Sequence, residues 1–529
     1  MHDRFALAPI DLVMLGLYAV FILWHGLHLA RKHENADDYF LAGRSMTWPL
    51  IGASLYASNI SSTTLVGLAG SAYGTGISVF NYEWMAAVVL VFFALFILPF
   101  YLNSRVYTMP EFLQKRYDGR SRTYFSIVTL FGNIIVDTAG SLYAGALVIQ
   151  VIFPHLPAWE TIALLALLSG IYTIAGGLRA VILTDAVQAI LLQIGAIIIA
   201  VMAFIDIGGD WSRVTAITGH DMLSLVRPEN DPTMPWTGLV LGVPLLGFYF
   251  WCTNQFMVQR VLSAKNIQHG RLGALFAGAL KLPVLFLMVL PGTMARVLYP
   301  NLHNPDMVYP TLMFDMLPTG LLGLVLAGFI AALMSQIDST LNSASTLVTM
   351  DFIKRWKPDL DNRQLLRTGR WVTFGFMLLA AAWAPQISRF GSLFQYLQNV
   401  LAYLVPPVVG VFLVGLFWKR ANATGAITAL LTGLGVSVLL LIATISGFLP
   451  NFHFLHVAMV LFLFSVIVQI TVSFATAPPP EIKTSKMVWN RQIWREESLS
   501  LKLVPWYVNV RVLSAVLLVA TAGIVGWFW

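Results

Sequence analysis

The sequence is poor in charge and nearly free of cysteine. Only 11% of its 529 residues are charged, whereas soluble domains carry about 25%. The single cysteine, Cys252, cannot form an internal disulfide and tells nothing about the redox compartment. Hydrophilic stretches are also short, and the two longest, 208–235 and 476–504, could not hold a catalytic domain. These shortages argue against a receptor kinase or a membrane-tethered enzyme.

Catalytic motifs are missing as well. The sequence has no Walker loop, no HExxH, and no GxSxG in a strand–turn–helix context. No metal, phosphate or nucleophile signature replaces them, so we expect a protein that is not an enzyme. The net charge of +7 could suggest a nucleic-acid partner, but the location of the basic residues explains it better.

Apolar residues dominate what is present. The chain is 58% hydrophobic, with a mean hydropathy of +0.75. Apolar runs of about 20 residues recur along it, which is enough for helices to cross a ~30 Å hydrocarbon core. The first run lacks a small-residue cleavage site, so we expect no cleavable signal peptide. The sequence predicts an all-α, polytopic membrane protein with about fourteen spans: 9–30, 46–73, 78–101, 123–153, 159–176, 180–205, 236–258, 272–295, 311–349, 367–385, 393–417, 423–447, 454–474 and 505–528.

The basic residues lie mostly on one side of these spans. Alternate loops hold 25 Lys and Arg residues, including Arg179, Arg260, Lys265 and Arg271, and the opposite loops hold five. By the positive-inside rule the basic loops are cytoplasmic and both termini are outside. The predicted location is the plasma or inner cell membrane, with the lipid bilayer as the partner and no nucleic acid.

Two spans look interrupted. The second contains the polar run Ser58-Asn59-Ile60-Ser61-Ser62-Thr63-Thr64, and the seventh runs into Trp251-Cys252-Thr253-Asn254-Gln255. Interrupted helices at matching positions of two halves point to the binding site of a transporter. Because the two spans are five apart, spans 2–6 and 7–11 could form inverted repeats. The alternative is that these hydroxyls only bond their own helix backbone.

Four ionisable side chains lie inside long apolar stretches, where charge is costly and usually functional: Glu83, Asp185, Lys281 and Asp338. In the ninth span, Ser335, Asp338, Ser339 and Asn342 share one helical face. Hydroxyls, an amide and a carboxylate suit Na⁺, a hard cation that prefers oxygen ligands. The alternatives for this face are a proton relay and a polar helix–helix contact.

The other ionisable residues leave two interpretations open. Asp185 follows Arg179 closely and could be an acid in the first turn of a helix. Glu83 and Lys281 could form a structural pair. They could also bind a polyhydroxylated ligand, since charged groups and amides bond hydroxyls while aromatic rings cover the C–H face of a sugar.

Several motifs resemble those of the sodium/solute symporter family, and within it the sodium/glucose cotransporter branch. The resemblance runs from Asp38 to about Ala426. The motifs that carry it are Asp38-Tyr39-Phe40-Leu41-Ala42-Gly43-Arg44, Ala57-Ser58-Asn59-Ile60-Ser61, Tyr82-Glu83-Trp84, Thr108-Met109-Pro110-Glu111-Phe112, Gly176-Gly177-Leu178-Arg179-Ala180, Thr184-Asp185, Trp251-Cys252-Thr253-Asn254-Gln255 and Phe417-Trp418-Lys419-Arg420. It implies one membrane domain, 1–529, with the leucine-transporter fold. The leading helix would be 9–30, the inverted repeats 46–205 and 236–417, and the trailing helices 423–529.

The same resemblance implies a set of site residues. For sodium, the coupling ion, they are the carbonyls of Ala57, Ile60 and Ala332 and the side chains of Ser335 and Gln336. A second cation, sodium or a proton, would use Asp185, Asp338 and Ser339. The implied substrate-binding residues are Asn59, Thr64, Glu83, Trp251, Lys281 and Gln398, and the implied gates are Leu68, Tyr82, Phe250 and Phe394. The chain departs from the family pattern at Thr64, Gly247, Phe250, Gln336 and Asp338.

The expected function is sodium-coupled import of a hexose-like sugar, such as glucose or galactose, by alternating access. Symport of another polar solute is the first alternative: inositol, an amino-sugar, or a monocarboxylate neutralised by Lys281. A membrane sensor that binds solute without transport is the second. An ion channel is the third, but the sequence shows no symmetric filter motif.

Overall fold

The computed structural model describes residues 7–30, 36–152, 155–390, 393–448, 453–502 and 504–529. Within those ranges the chain is built from helices, and the only β-type pairings there are isolated bridges. This confirms the all-α fold class. The first ten α-helices, α1 to α10, are Pro9–Ala30, Ala36–Leu41, Trp48–Asn59, Ser62–Thr75, Asn81–Phe92, Leu98–Ser104, Met109–Arg116, Gly119–Phe131, Ala139–Ile152 and Ala158–Asp206.

The second half of the chain is helical as well. Helices α11 to α18 are Ser212–Thr218, Trp236–Phe248, Gln255–Leu262, Ile267–Lys281, Leu290–Leu298, Val308–Met316, Leu321–Leu347 and Lys354–Trp356. Helices α19 to α25 are Asn362–Trp383, Leu393–Leu404, Pro406–Phe417, Ala423–Ile445, Phe454–Ala475, Arg491–Leu501 and Val510–Trp527.

Nine helices of the described ranges are long and apolar enough to cross a membrane, and a tenth is formed if α20 and α21, which meet at 50°, count as one span. The nine are Ile77–Ser104, Gly119–Gln150, Leu178–Asp206, Trp236–Thr253, Ile267–Leu298, Leu321–Trp356, Ala423–Thr444, Phe454–Ala475 and Val510–Trp527. The predicted total of fourteen spans remains a prediction.

Two predicted boundaries are wrong. The backbone is helical through the predicted break at 176–180, because α10 runs from Ala158 to Asp206. The predicted ninth span, 311–349, is two helices, α16 and α17. Pro318 and Gly320 separate them, and Gly320 has a φ of 88°, a conformation that favours glycine.

Five π-helical segments widen the long helices, namely Phe93–Ile97, Gly132–Thr138, Tyr249–Thr253, Leu285–Val289 and Val348–Ile353. Two of them precede a helix with proline in its first turn, Pro99 in α6 and Pro291 in α15. Proline has no N–H to donate to the preceding turn, which disfavours regular α-helical bonding there. These two segments lie in the third and eighth predicted spans, five spans apart.

Helix α17 is the centre of the molecule, with nearly every residue buried. It packs against α10, α1, α3 and α19. Its first turn is fixed by the buried Asp11 of α1, whose carboxylate accepts hydrogen bonds from the backbone N–H groups of Gly320 (2.8 Å) and Gly323 (2.7 Å). An anion at a helix N-terminus satisfies free N–H groups and the helix dipole. The face that carries Ser335 is therefore held rigidly at the core.

Candidate functional site

The second predicted span is broken, as its sequence predicted. Helix α3 ends at Asn59 and α4 begins at Ser62, with Ile60 and Ser61 in non-helical conformations between them. The Ser61 hydroxyl caps α4 by accepting from the backbone N–H of Thr64 (3.4 Å), and the Thr64 hydroxyl donates to the carbonyl of Asn59 (2.7 Å). The polar run of the sequence therefore stabilises two helix ends at membrane depth, where a helix end frees backbone carbonyls.

The seventh predicted span is broken at the corresponding place. Helix α12 passes into the π segment Tyr249–Thr253, and Asn254 is extended before α13 begins. The Asn254 side chain caps α13 by accepting from the backbone N–H of Phe256 (3.4 Å). The prediction of two interrupted spans is thus confirmed.

The break of α3 lies directly against α17. The Ser58 hydroxyl is 3.3 Å from that of Ser335 and 3.2 Å from that of Ser339. Ser58 is next to Ala57 and close to Ile60, so the structure brings together the two helices that carry the predicted sodium ligands. Whether these ligands bind sodium remains a prediction.

A buried ion pair occupies the neighbouring position. The guanidinium of Arg260 lies 3.1 Å from the Asp185 carboxylate and also bonds the hydroxyls of Ser54 (2.7 Å) and Ser339. Asp185 accepts further hydrogen bonds from Ser54 (2.5 Å) and Ser335 (2.5 Å). Both charged side chains are fully buried. The predicted second-cation residues Asp185 and Ser339 are therefore bridged by a cation that belongs to the chain itself.

This pair corrects two predictions. Asp185 is not an acid in the first turn of a helix, because it lies in the middle of α10. Arg260 is not in a cytoplasmic loop, because it lies in α13 and is completely buried. The physical reason is the same for both: a carboxylate at membrane depth needs a partner, and an arginine supplies charge and several donors together.

A central cavity of about 110 Å³ lies beside the two helix breaks. Its walls combine hydrogen-bonding groups with the rings of Tyr82, Phe250 and Trp251. The hydrogen-bonding residues are Asn59, Ser61, Thr64, Glu83, Asp137, Gln336 and Gln398. Five of the six predicted substrate residues line this cavity, since only Lys281 is absent from its wall. Of the predicted gates, Tyr82 and Phe250 line it.

Lys281 lies behind the wall rather than in it. It is fully buried, and its Nζ is 2.6 Å from an oxygen of the Glu83 carboxylate. The same ammonium faces the rings of Trp251 at 5.4 Å and Tyr56 at 5.8 Å. The structural Glu–Lys pair is therefore present, and it holds Glu83 at the edge of the cavity.

The remaining predicted residues lie in different places. Gln336, expected as a sodium ligand, lines the central cavity. Leu68 is fully buried in a hydrophobic cluster and does not line the central cavity. Asp338 is fully buried and close enough to Tyr18 of α1 to affect it electrostatically. The side chain of Phe394 lies outside the described residues.

The central cavity adjoins a second one, here called the vestibule, because Tyr82 and Gln398 line both. The vestibule also contacts Thr233 and Asp306, on the side that bears the segment 208–235. A third cavity, at the basic face, shares no lining residue with the central one. The central cavity therefore adjoins the vestibule and not the cavity at the basic face.

A buried network surrounds Asp351, beside the third cavity, whose wall includes Arg122. Arg122 donates two hydrogen bonds to this carboxylate (2.6 and 3.0 Å), and the hydroxyls of Thr108 (2.7 Å) and Ser126 (2.6 Å) donate to it as well. These residues connect α7, α8 and the π segment Val348–Ile353. The network therefore holds the ends of these helices together.

Sequence reasoning missed two charged residues of this region. Asp137 satisfies the rule that selected the other four ionisable residues, because it follows the apolar run Ile134-Ile135-Val136. Arg260 was counted as a loop residue because it lies close in sequence to Lys265. Its spacing from Gln255 does not indicate that it is buried.

A polar cavity between two broken helices, with an oxygen-rich junction beside it, is typical of a secondary transporter. A sequence profile of the sodium:solute symporter family matches residues 39–433. The mouse (Mus musculus) sodium/myo-inositol cotransporter 2 is 36% identical over 535 residues, covering 92% of this chain and 79% of that protein. The zebrafish (Danio rerio) sodium/glucose cotransporter 4 is 35% identical over 556 residues, covering 95% and 84%. The chain therefore belongs to the sodium:solute symporter family.

A solved structure supports the fold. A Na⁺-coupled sialic acid symporter, in a substrate-bound outward-open state, superposes with a TM-score of 0.79 at 24% identity, covering 89% of this chain and 99% of that one. The fold is thus the leucine-transporter type expected from the sequence. The protein is a multi-pass, sodium-coupled solute symporter and not an enzyme.

Proposed function

We propose that this symporter imports a sugar or a closely related polyol, with a hexose-like molecule such as glucose or galactose as the first candidate. The observation that carries the proposal is the composition of the central cavity. Amides and carboxylates that bond hydroxyls alternate there with aromatic rings that can cover a C–H face. Relatives named for glucose and myo-inositol transport support the same class of solute.

The sodium ion would bind where the break of α3 meets α17. In this proposal the carbonyls of Ala57, Ile60 and Ala332 and the hydroxyl of Ser335 replace its hydration shell. Gln336, which lines the cavity, would link the ion site to the solute. Coupling requires that each ligand favour the outward-open form, and the effect of one on the other must be reciprocal.

The position of Arg260 favours one sodium ion per solute. Its guanidinium holds the place between Asp185 and Ser339 at which a second cation would bind. Because two cations cannot share that site, the second-cation proposal requires Arg260 to leave. Asp338, on the side of α17 toward α1, would then carry no sodium.

Uptake into sealed proteoliposomes tests the function. Labelled glucose, galactose, myo-inositol, glucosamine and lactate are supplied, with sodium, potassium and proton gradients imposed separately. Concentrative uptake of a hexose or inositol under the sodium gradient alone is expected. Sodium-driven uptake of lactate only would replace the sugar with a monocarboxylate. Binding without accumulation of any solute would favour the sensor.

Ser335→Ala should raise the sodium concentration at half-maximal uptake by about tenfold, since a lost ligand costs on the order of 1.4 kcal/mol. Ser345→Ala is the matched control, because Ser345 is a buried serine of the same helix that bonds the carbonyl of Gly369 instead. The same titration of the unaltered protein should be hyperbolic, as one sodium requires. A sigmoidal curve, or equal shifts in the two variants, would contradict the assignment.

Inositol remains a second candidate, since myo-inositol is a ring of hydroxyls that the same amides and carboxylates could bond. The uptake panel separates it from a hexose. The predicted cell-membrane location with both termini outside can be checked by labelling single cysteines placed near each terminus.

A further inference from the structure

Asp137 places a second carboxylate in the wall of the central cavity. It lies in the π segment Gly132–Thr138, between α8 and α9. It is about nine-tenths buried, and its remaining surface faces the cavity shared with Glu83 and Gln398. Extra residues in a π segment displace side chains from the regular helical faces, and such segments are frequent at functional sites. The local distortion therefore presents this acid to the solute.

The two carboxylates of the cavity differ in what surrounds them. Glu83 is neutralised by Lys281 at 2.6 Å. Asp137 forms no ion pair and accepts no hydrogen bond from any part of the chain that the structure describes. The neighbouring hydroxyl of Tyr396 donates elsewhere, to the carbonyl of Ile135 (3.0 Å). The cavity thus contains one carboxyl group with a counter-ion and one without.

An uncompensated carboxylate at this depth is costly unless a ligand supplies hydrogen bonds or charge. A neutral polyol supplies hydroxyl donors. An ammonium group supplies both donors and a positive charge, which attract a carboxylate strongly where water is scarce. A carboxylate on the solute would be repelled, and such like-charge contacts are an effective means of specificity.

We propose that Asp137 sets the charge selectivity of the solute site, so that it accepts neutral polyols, prefers those carrying an amino group, and rejects acidic ones. This inference rests on the proposed function and narrows its substrate class. It opposes the monocarboxylate alternative, in which Lys281 would neutralise the solute, because Lys281 is already paired with Glu83.

The test measures binding of three probes that differ in one substituent: D-glucose, D-glucosamine and D-glucuronate. Their affinities are determined in sodium chloride with the purified full chain, at neutral pH. Glucosamine should bind about tenfold more tightly than glucose, and glucuronate at least tenfold more weakly. Asp137→Asn should bring the three affinities together, whereas Asp137→Glu should keep their order.

Asp306→Asn is the matched control, since Asp306 is a buried acid that lines the vestibule but not the central cavity. It should leave the order of the three probes unchanged. Equal affinities for all three in the unaltered protein would overturn the proposal, even if sodium-driven glucose uptake is intact. The proposal would also be overturned if Asp137→Asn abolished sodium activation but left the order of the three affinities unchanged. The carboxylate would then act on sodium binding and not on solute selectivity. Absence of any sodium-driven polyol uptake would instead refute the proposed function.

Discussion

An Asp185→Asn variant should lose most sodium-driven uptake and become markedly less stable in detergent. The substitution leaves the guanidinium of Arg260 buried without its counter-ion. Removing one partner of a buried pair costs about 3–5 kcal/mol, because the other charge stays desolvated and unpaired. The same carboxylate positions the Ser335 hydroxyl, so the sodium junction should also be disordered. Uptake and the melting temperature of the purified protein are the two measurements.

A double variant separates the charge from the fold. Asp185→Asn combined with Arg260→Gln replaces the ion pair with two neutral amides, so no charge is left buried. The melting temperature should recover by more than half of the loss seen in Asp185→Asn alone, and Arg260→Gln alone should be as unstable as the first variant. Additive losses in the double variant would show that the two side chains are not energetically coupled. Normal uptake by Asp185→Asn would contradict the network as a whole.

The sequence predicted the broken helices because their signal is local. A run of hydroxyls and an asparagine within an apolar span has few structural uses other than capping two helix ends, and Ser61 and Thr64 do this. Glu83 was likewise predictable, because a charged group among aromatics at membrane depth faces a solute or a partner, whereas Asn59 and Gln398 were predicted only from the family resemblance.

Pairing across the core could not be predicted in the same way. Arg260 is 75 residues from Asp185, and nothing in its neighbourhood reports that α13 returns to the core after Asn254. Counting it among the loop charges followed from local spacing alone. For Lys281 the sequence predicted burial correctly. It could not decide whether the buried ammonium contacts the solute or Glu83. The ninth span was wrongly predicted as one helix for a simpler reason. Pro318 and Gly320, which separate α16 from α17, lie within one apolar run of the sequence.

Lys281→Met should raise the solute concentration at half-maximal uptake by tenfold or more and leave sodium activation nearly unchanged. Methionine keeps the length and the apolar stem of lysine, so the packing against Trp251 and Tyr56 survives while the charge is removed. The Glu83 carboxylate then loses the donor that holds it at 2.6 Å. Truncating one partner of a buried charged pair costs about 2–5 kcal/mol. Uptake kinetics with solute and sodium varied independently measure the two effects.

The combination of Lys281→Met with Glu83→Gln decides how Lys281 acts. If the lysine only orients Glu83, a neutral glutamine needs no counter-ion, and the double variant should bind solute better than Lys281→Met alone. If the ammonium touched the solute directly, the second substitution would weaken binding further. The structure favours the first outcome, because Lys281 is fully buried behind Glu83 and absent from the cavity wall. A Lys281→Met variant with solute affinity within twofold of the unaltered protein would show that the pair serves only the fold, and that the polar wall of the cavity binds solute without it.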